Sequence, residues 1–133
     1  MSNELSYGFK KILNASVEDA EAKVRDALAA EGFGVLSEID IQAAFKTKLD
    51  VDFRPYRILG ACNPPLAHQA LTEEDDIGLL LPCNVVVYEG AEAGTSVVSI
   101  LDPVQQLAVA GRDDLGPMAE EVQIRLKRVM EAV

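Results

Sequence analysis

The stretch Leu79-Leu80-Leu81-Pro82-Cys83-Asn84-Val85-Val86-Val87-Tyr88 is the most apolar strand-like run of the chain. A turn with two glycines follows, Glu89-Gly90-Ala91-Glu92-Ala93-Gly94, and then Val97-Val98-Ser99-Ile100-Leu101. Two β-prone runs on either side of a glycine turn form an antiparallel hairpin. An antiparallel pair needs no crossover helix, so the sheet that contains it is of the α+β kind rather than the alternating α/β kind.

Working outward, Leu5 to Leu13 begins with alternation at Leu5, Tyr7 and Phe9 and reads as a strand. Ser16 is a helix N-cap, with Asp19 in the first turn. Val17, Ala20, Val24, Ala27 and Leu28 recur at helical spacing until Gly32 closes the helix. Gly34 to Asp40 reads as a strand with Val35, Ser37 and Ile39 on one face and Leu36 and Glu38 on the other. Asp40 is placed to cap a short helix over Gln42 to Lys48, a continued strand being the alternative. Tyr56 to Ala61 is the next strand, and Thr72 to Asp76 an acidic loop. Asn63-Pro64, Asp102-Pro103 and Gly116-Pro117 are three helix starts with proline in the first turn, where its missing donor costs nothing. The last helix buries Met118, Val122, Leu126, Val129 and Val133, with Ile124 off that face. The expected order is β-α-β-(short α)-β-(short α)-β-β-α: a mostly antiparallel sheet with two long amphipathic helices on one face.

The chain has 133 residues, enough for one domain, 1–133, with a core that needs no staples. Its formal net charge of −10 repels phosphate backbones and anionic lipid, so neither nucleic acid nor membrane is an expected partner. The start, Met1-Ser2-Asn3-Glu4-Leu5, lacks a basic segment followed by an apolar one, and the longest apolar stretch, Ile77 to Val87, is interrupted by Pro82 and Asn84. A cytoplasmic protein is expected, and with it thiols that are free rather than bridged.

The chemistry-bearing residues cluster around two Cys-Asn pairs, Cys62-Asn63 and Cys83-Asn84, which hold the only cysteines. Cys62 stands just before a helix start, where free N–H groups favour a thiolate. It is the candidate nucleophile; the plainer reading is a small buried hydrophobe. Lys46, Lys48, Arg54 and Arg57 are a local basic concentration in an acidic chain, suited to lowering a thiol pKa or holding an anion. Cys83 follows Pro82, which places it at an edge or a bulge, or else in a buried position. Asn63 is explained as a cap, whereas Asn84 inside a strand must find partners or face solvent, and is expected to brace the backbone around Cys62 or Cys83. Cys62, His68 and Cys83 are candidate metal ligands, but their spacing, Cys-x5-His-x14-Cys, matches no zinc pattern and lacks a fourth ligand. No glycine-rich phosphate loop, HExxH or serine elbow is present.

The runs Gly32–Asp40, Arg54–Pro64 and Ile77–Val87 together resemble the Domain of Unknown Function 302 family over nearly the whole chain. The resemblance implies a β-α-β(4)-α fold, similar in topology to one repeat of the TATA-box-binding protein, with helical insertions at Ile41–Leu49, Pro65–Leu71 and Val104–Ala110. It carries no activity, cofactor or catalytic residue across, and topology alone does not set function.

Three functions follow from these readings. The first is a small binding module, expected as a homodimer, holding a small anionic ligand or a soft metal near Cys62, Asn63, Cys83, Asn84 and Arg57. The second is a thiol-based redox protein or enzyme with Cys62 as nucleophile. The third is an interaction dimer that pairs through Leu79–Val87 as an edge strand.

Overall fold

The computed structural model describes residues 4–133. Met1–Asn3, where the chain start was read as carrying no leader, lie outside them. Six strands form one sheet: β1 (Glu4–Leu5), β2 (Gly8–Leu13), β3 (Gly34–Asp40), β4 (Tyr56–Cys62), β5 (Cys83–Glu89) and β6 (Ser96–Leu101). Their order is β1-β2-β6-β5-β4-β3, and every neighbouring pair is antiparallel. Helices α1 (Val17–Ala30) and α5 (Gly116–Ala132) both lie on one face. Between the strands stand α2 (Ile41–Leu49) and α3 (Pro64–Glu73), and α4 (Pro103–Ala108) precedes α5. The β-α-β(4)-α order and the three short helical insertions agree with expectation. Among the described residues no helix is long and apolar enough to cross a membrane.

The helix starts are where the short polar residues put them. Ser16 Oγ accepts from the Asp19 N–H at 3.1 Å, and Asp40 Oδ1 accepts from the Ala43 N–H at 2.9 Å. Asn63 Oδ1 accepts from the Leu66 N–H at 3.3 Å, with Pro64 in the first turn. Gly32, at φ +84°, reverses the chain after α1.

The core is one apolar layer. Leu59, Ala61, Cys83, Val85, Val87, Val98 and Ile100 of the sheet pack on Val24 and Leu28 of α1 and on Leu126 and Val129 of α5. A second cluster, Ala70, Ile77, Leu107, Leu115, Met118 and Ala119, lies beneath α3 and α4.

Several expectations need correction. The strand expected over Leu5–Leu13 is broken by a turn at Ser6–Tyr7 into β1 and β2, which pair with each other. The strand expected over Leu79–Tyr88 begins only at Cys83; residues Asp75–Leu80 form a 3-10 helix instead, which also replaces part of the expected acidic loop. A short apolar run reads equally well as strand or buried helix, and here the run wraps over the second cluster. β5 is also central, hydrogen-bonded to β4 and β6, so Leu79–Val87 is not an edge. The long unpaired edge belongs to β3. Within β3 the register shifts between Val35 and Ser37, so Leu36 is a bulge and Val35 no longer shares a face with Ser37 and Ile39.

The polar edge of the core is closed by ion pairs. Arg57 Nη1 on β4 meets Glu21 Oε1 on α1 at 2.9 Å, Arg25 Nε meets Glu21 Oε2 at 2.9 Å, and Arg25 Nη2 reaches Glu38 on β3 at 3.0 Å. Burial pushes the Glu21 carboxyl up, but hydrogen bonds from Arg57 and Arg25 outweigh it and hold the group below its ordinary 4.5. A depressed folded value contributes stability above the unfolded carboxylate range and loses it as pH falls through the folded value. Glu21→Gln is therefore expected to lower stability at pH 7 by roughly 1–2 kcal/mol, as for a partly exposed charged hydrogen bond. Urea denaturation should show that gap closing in acid, once the wild-type carboxyl is protonated. A gap independent of pH would remove the ionic account.

Candidate functional site

β4 and β5 are adjacent, yet the chain joins them by a long excursion through α3 and the 3-10 helix rather than by a tight turn. Where the excursion leaves the sheet, between the two apolar clusters, it bounds a cavity of about 360 Å³ that opens to solvent. Ala61 and Cys83 contribute from the sheet, Met118 and Val122 from α5, and Pro103 and Leu107 from α4. Leu66, Ala67, Ala70 and Leu71 of α3 cover it, with Leu80 and Leu81 beyond. Buried Phe33 also lines it, as do the exposed Leu36 and the half-buried Pro82.

No charged side chain lines this space. Its polar groups are the two thiols, Ser37, Asn63 and Gln106. Gln106 Nε2 donates to the Leu80 carbonyl and so ties the covering segment to α4. Arg112 makes a second tie across the same gap, donating to the Glu73 carbonyl at 3.1 Å and to Glu74 Oε2 at 2.9 Å. Gly60 makes room at the rim, since a Cβ there would stand 2.8 Å from Pro82 Cγ and would also collide with Ser37 Oγ.

The structure brings together three of the expected site residues: Cys62, Asn63 and Cys83 all line the cavity. Cys83 lies opposite Ala61 across the β4–β5 seam, so Cys62 is one residue beyond its partner, and both thiols are free. Cys83 is buried, and burial, with a smaller push from Cys62, raises its thiol to about 11. Cys62 is half-buried, and burial raises its thiol as well. The thiolate expected from the helix start is thus opposed. Asn63 stands between Cys62 and the helix and takes the cap position itself.

Arg57 and Asn84 stand elsewhere. Arg57 is five residues from Cys62 along β4, about 16 Å in an extended strand, and is held by Glu21 and by Glu18 at 3.5 Å. The expected basic concentration is dispersed. Lys46 pairs with Asp50 at 3.0 Å and Asp52 at 3.5 Å, and Arg54 lies over the Phe53 and Tyr88 rings. Asn84 does not brace the cysteines as expected: strand alternation exposes it, opposite Gly60, on the face turned away from α1 and α5. His68 is exposed on α3. Among the described residues no three His, Cys, Asp or Glu side chains come together in a way that suits a metal ion, so Cys62, His68 and Cys83 do not form a ligand set.

Ser37 and Gln106 carry no sequence signal of their own, whereas Met118 and Val122 belong to the apolar stripe of the last helix. Gly60 carries one too, as a glycine inside a strand.

The family model described as "Domain of unknown function DUF302" matches residues 9–133, and this chain belongs to that family. None of the curated proteins matches it. Its structure is similar to the crystal structure of the uncharacterized conserved protein DUF302 from Bacillus stearothermophilus, with a TM-score of 0.86 and 26% identity over 96% of this chain and 98% of that one.

Burial raises both thiols and so favours their protonated form. With 5,5′-dithiobis(2-nitrobenzoate) at pH 7.5, Cys62 is expected to react more slowly than free cysteine, and Cys83 only after denaturant is added. Rapid labelling of both in the native protein would overturn this picture of the site.

Proposed function

We propose that this DUF302 chain is a small-molecule-binding module whose ligand is largely hydrocarbon and sits in the cavity walled by Cys62, Asn63 and Cys83. The observation that carries the reading is the cavity itself: about 360 Å³, open, and lined by aliphatic side chains and Phe33 with few polar groups. Small-molecule sites have this size and this composition.

The lining also bears on the kind of ligand. An anion would find no cation on the wall, since Arg57 is engaged by Glu18 and Glu21. Leaving a charge unpaired in such a place costs more than the apolar contacts return. A soft metal would have two thiols and no third ligand among the described residues. Thiol redox chemistry needs the thiolate, which burial disfavours at both cysteines. An apolar ligand needs none of these, and two protonated thiols suit it as small, polarizable wall groups.

The reading is tested with the fluorescent apolar dye 1-aminoanthracene. The wild type is expected to bind it with enhanced emission. Ala67→Trp, which fills the space under α3, should weaken binding by about tenfold or more. Asn84→Ala, on the opposite face of the sheet, should leave it unchanged. Equal dye binding by the wild type and Ala67→Trp, with both folded, would sink the proposal.

A further inference from the structure

The sheet has a second face, and that face is not built for water. α1 and α5 cover the side that carries Leu59, Val85, Val87, Val98 and Ile100. Strand alternation turns the residues between them to the other side. The register aligns two rows there. One runs Ile12, Val97, Tyr88, Tyr56 across β2, β6, β5 and β4. The next runs Lys10, Ser99, Val86, Ile58, Ile39 and so reaches β3. An antiparallel sheet that faces solvent on one side places polar residues there. Here seven of the nine positions are aliphatic or aromatic, and Lys10 is the one charged residue in the two rows. Ile12 is 55% exposed and Ile39 48%.

α2 stands at one corner of this face. Phe45 meets Phe53 edge-on at 5.1 Å, Phe53 lies 6.3 Å from Tyr56, and the Tyr56 ring stacks on Tyr88 at 5.2 Å. α2 is nine residues long and none of them is buried. A helix that short draws its stability from tertiary contact. It is half of a packing arrangement whose other half the single chain does not supply.

The charges bear on what covers the face. The chain has 22 acidic side chains, and none of them is in either row. A nucleic acid or an anionic membrane would find one lysine in the two rows, with Arg54 over the Tyr88 ring at the corner. A basic protein would find no carboxylate there. Homodimer interfaces are apolar and depleted of charge in this way, whereas interfaces between separately soluble partners are about as polar as the rest of the surface.

We propose that a second copy of this chain covers this face, sheet against sheet about a two-fold axis. The contact lies across the sheet from the cavity and does not rest on the binding reading. The five long strands have six or seven residues each. At about 4.8 Å between strands and about 3.4 Å per residue they give a footprint of roughly 500 Å². With α2 and the relief of the side chains added, each copy approaches the roughly 800 Å² that a specific interface takes from each partner. A two-fold axis makes one apolar face the complement of itself, and aligned sheets pack about 10 Å apart. The carboxylates of α1 and α5 then lie on the outer sides of the pair.

Sedimentation equilibrium of the wild type at micromolar concentration is expected to give twice the chain mass of 14.3 kDa. Val86→Glu puts a carboxylate in the middle of the face, and the two-fold axis repeats it. Association should weaken by about a hundredfold or more, so that the variant runs as a monomer. Ile124→Glu, at an exposed position on α5, should remain a dimer. If Val86→Glu fails to fold by circular dichroism, Ile12→Glu, at a more exposed place in the neighbouring row, is read for the same loss. A monomeric wild type overturns the second copy as the occupant. A dimer that persists in the folded variant, or one that Ile124→Glu dissociates instead, moves the contact off this face and overturns the proposal as well.

Discussion

One buried layer, between a single face of the sheet and the helices α1 and α5, organises this molecule. Leu59, Val85, Val87, Val98 and Ile100 have to be covered, and Val24, Leu28, Leu126 and Val129 cover them. Two helices are enough for the middle of the sheet. They leave the end where β4 stops and β5 begins, at Ala61 and Cys83, to be covered by something else. The excursion through α3 and the 3-10 helix supplies that cover, and it builds a second apolar cluster of its own with α4 and the start of α5. Two separately packed clusters do not interdigitate as one core does. The cavity lies along their boundary, lined by Ala61, Cys83 and Val122 from the first and Ala70, Leu107 and Met118 from the second.

That origin explains which parts of the molecule were legible in advance. Caps and chain reversals are local chemistry, so Ser16, Gly32, Asp40 and Asn63 could be placed from the residues alone. Their hydrogen bonds and left-handed turn stand where expected. The helical stripe of α5 and the hairpin at Gly90–Gly94 were legible for the same reason. The bulge at Leu36 was not, because a register shift is decided by the partner strand. Leu79–Leu81 does not continue the strand: Leu80 and Leu81 pack on the second cluster beside Ile77, and Leu79 is left exposed. What decides is Leu107, Leu115 and Met118, which lie beyond β6 in the chain.

The charged residues teach the same lesson. Lys46, Lys48, Arg54 and Arg57 look like a basic patch because they are close in sequence. Arg57 instead spends its charge on Glu18 and Glu21, on the helix across the core, and Lys46 spends its charge on Asp50 and Asp52. In a chain with 22 acidic and 12 basic side chains, a cation readily finds an acid or an aromatic ring, as Arg57, Lys46 and Arg54 do, and local concentration says little about free positive charge. The absence of charge on the cavity wall follows from this, although no residue in the Cys-Asn motifs announces it.

The two Cys-Asn pairs look alike in sequence and part company in space. Strand alternation puts Cys83 on the core face and Asn84 on the solvent face. Cys62 is the last residue of β4, and Asn63 is already the cap of α3, so this pair turns inward over the cavity. The asparagine that seemed to have a purely structural explanation is therefore the one that meets the cavity, and the one that seemed to lack an excuse faces water. Capping consumes only half of a primary amide. The oxygen is committed to the Leu66 N–H, and the nitrogen lies beside Gly32. Residues that share a dipeptide motif can thus take unlike places, because a strand interior and a strand end that runs into a helix orient their side chains by different rules.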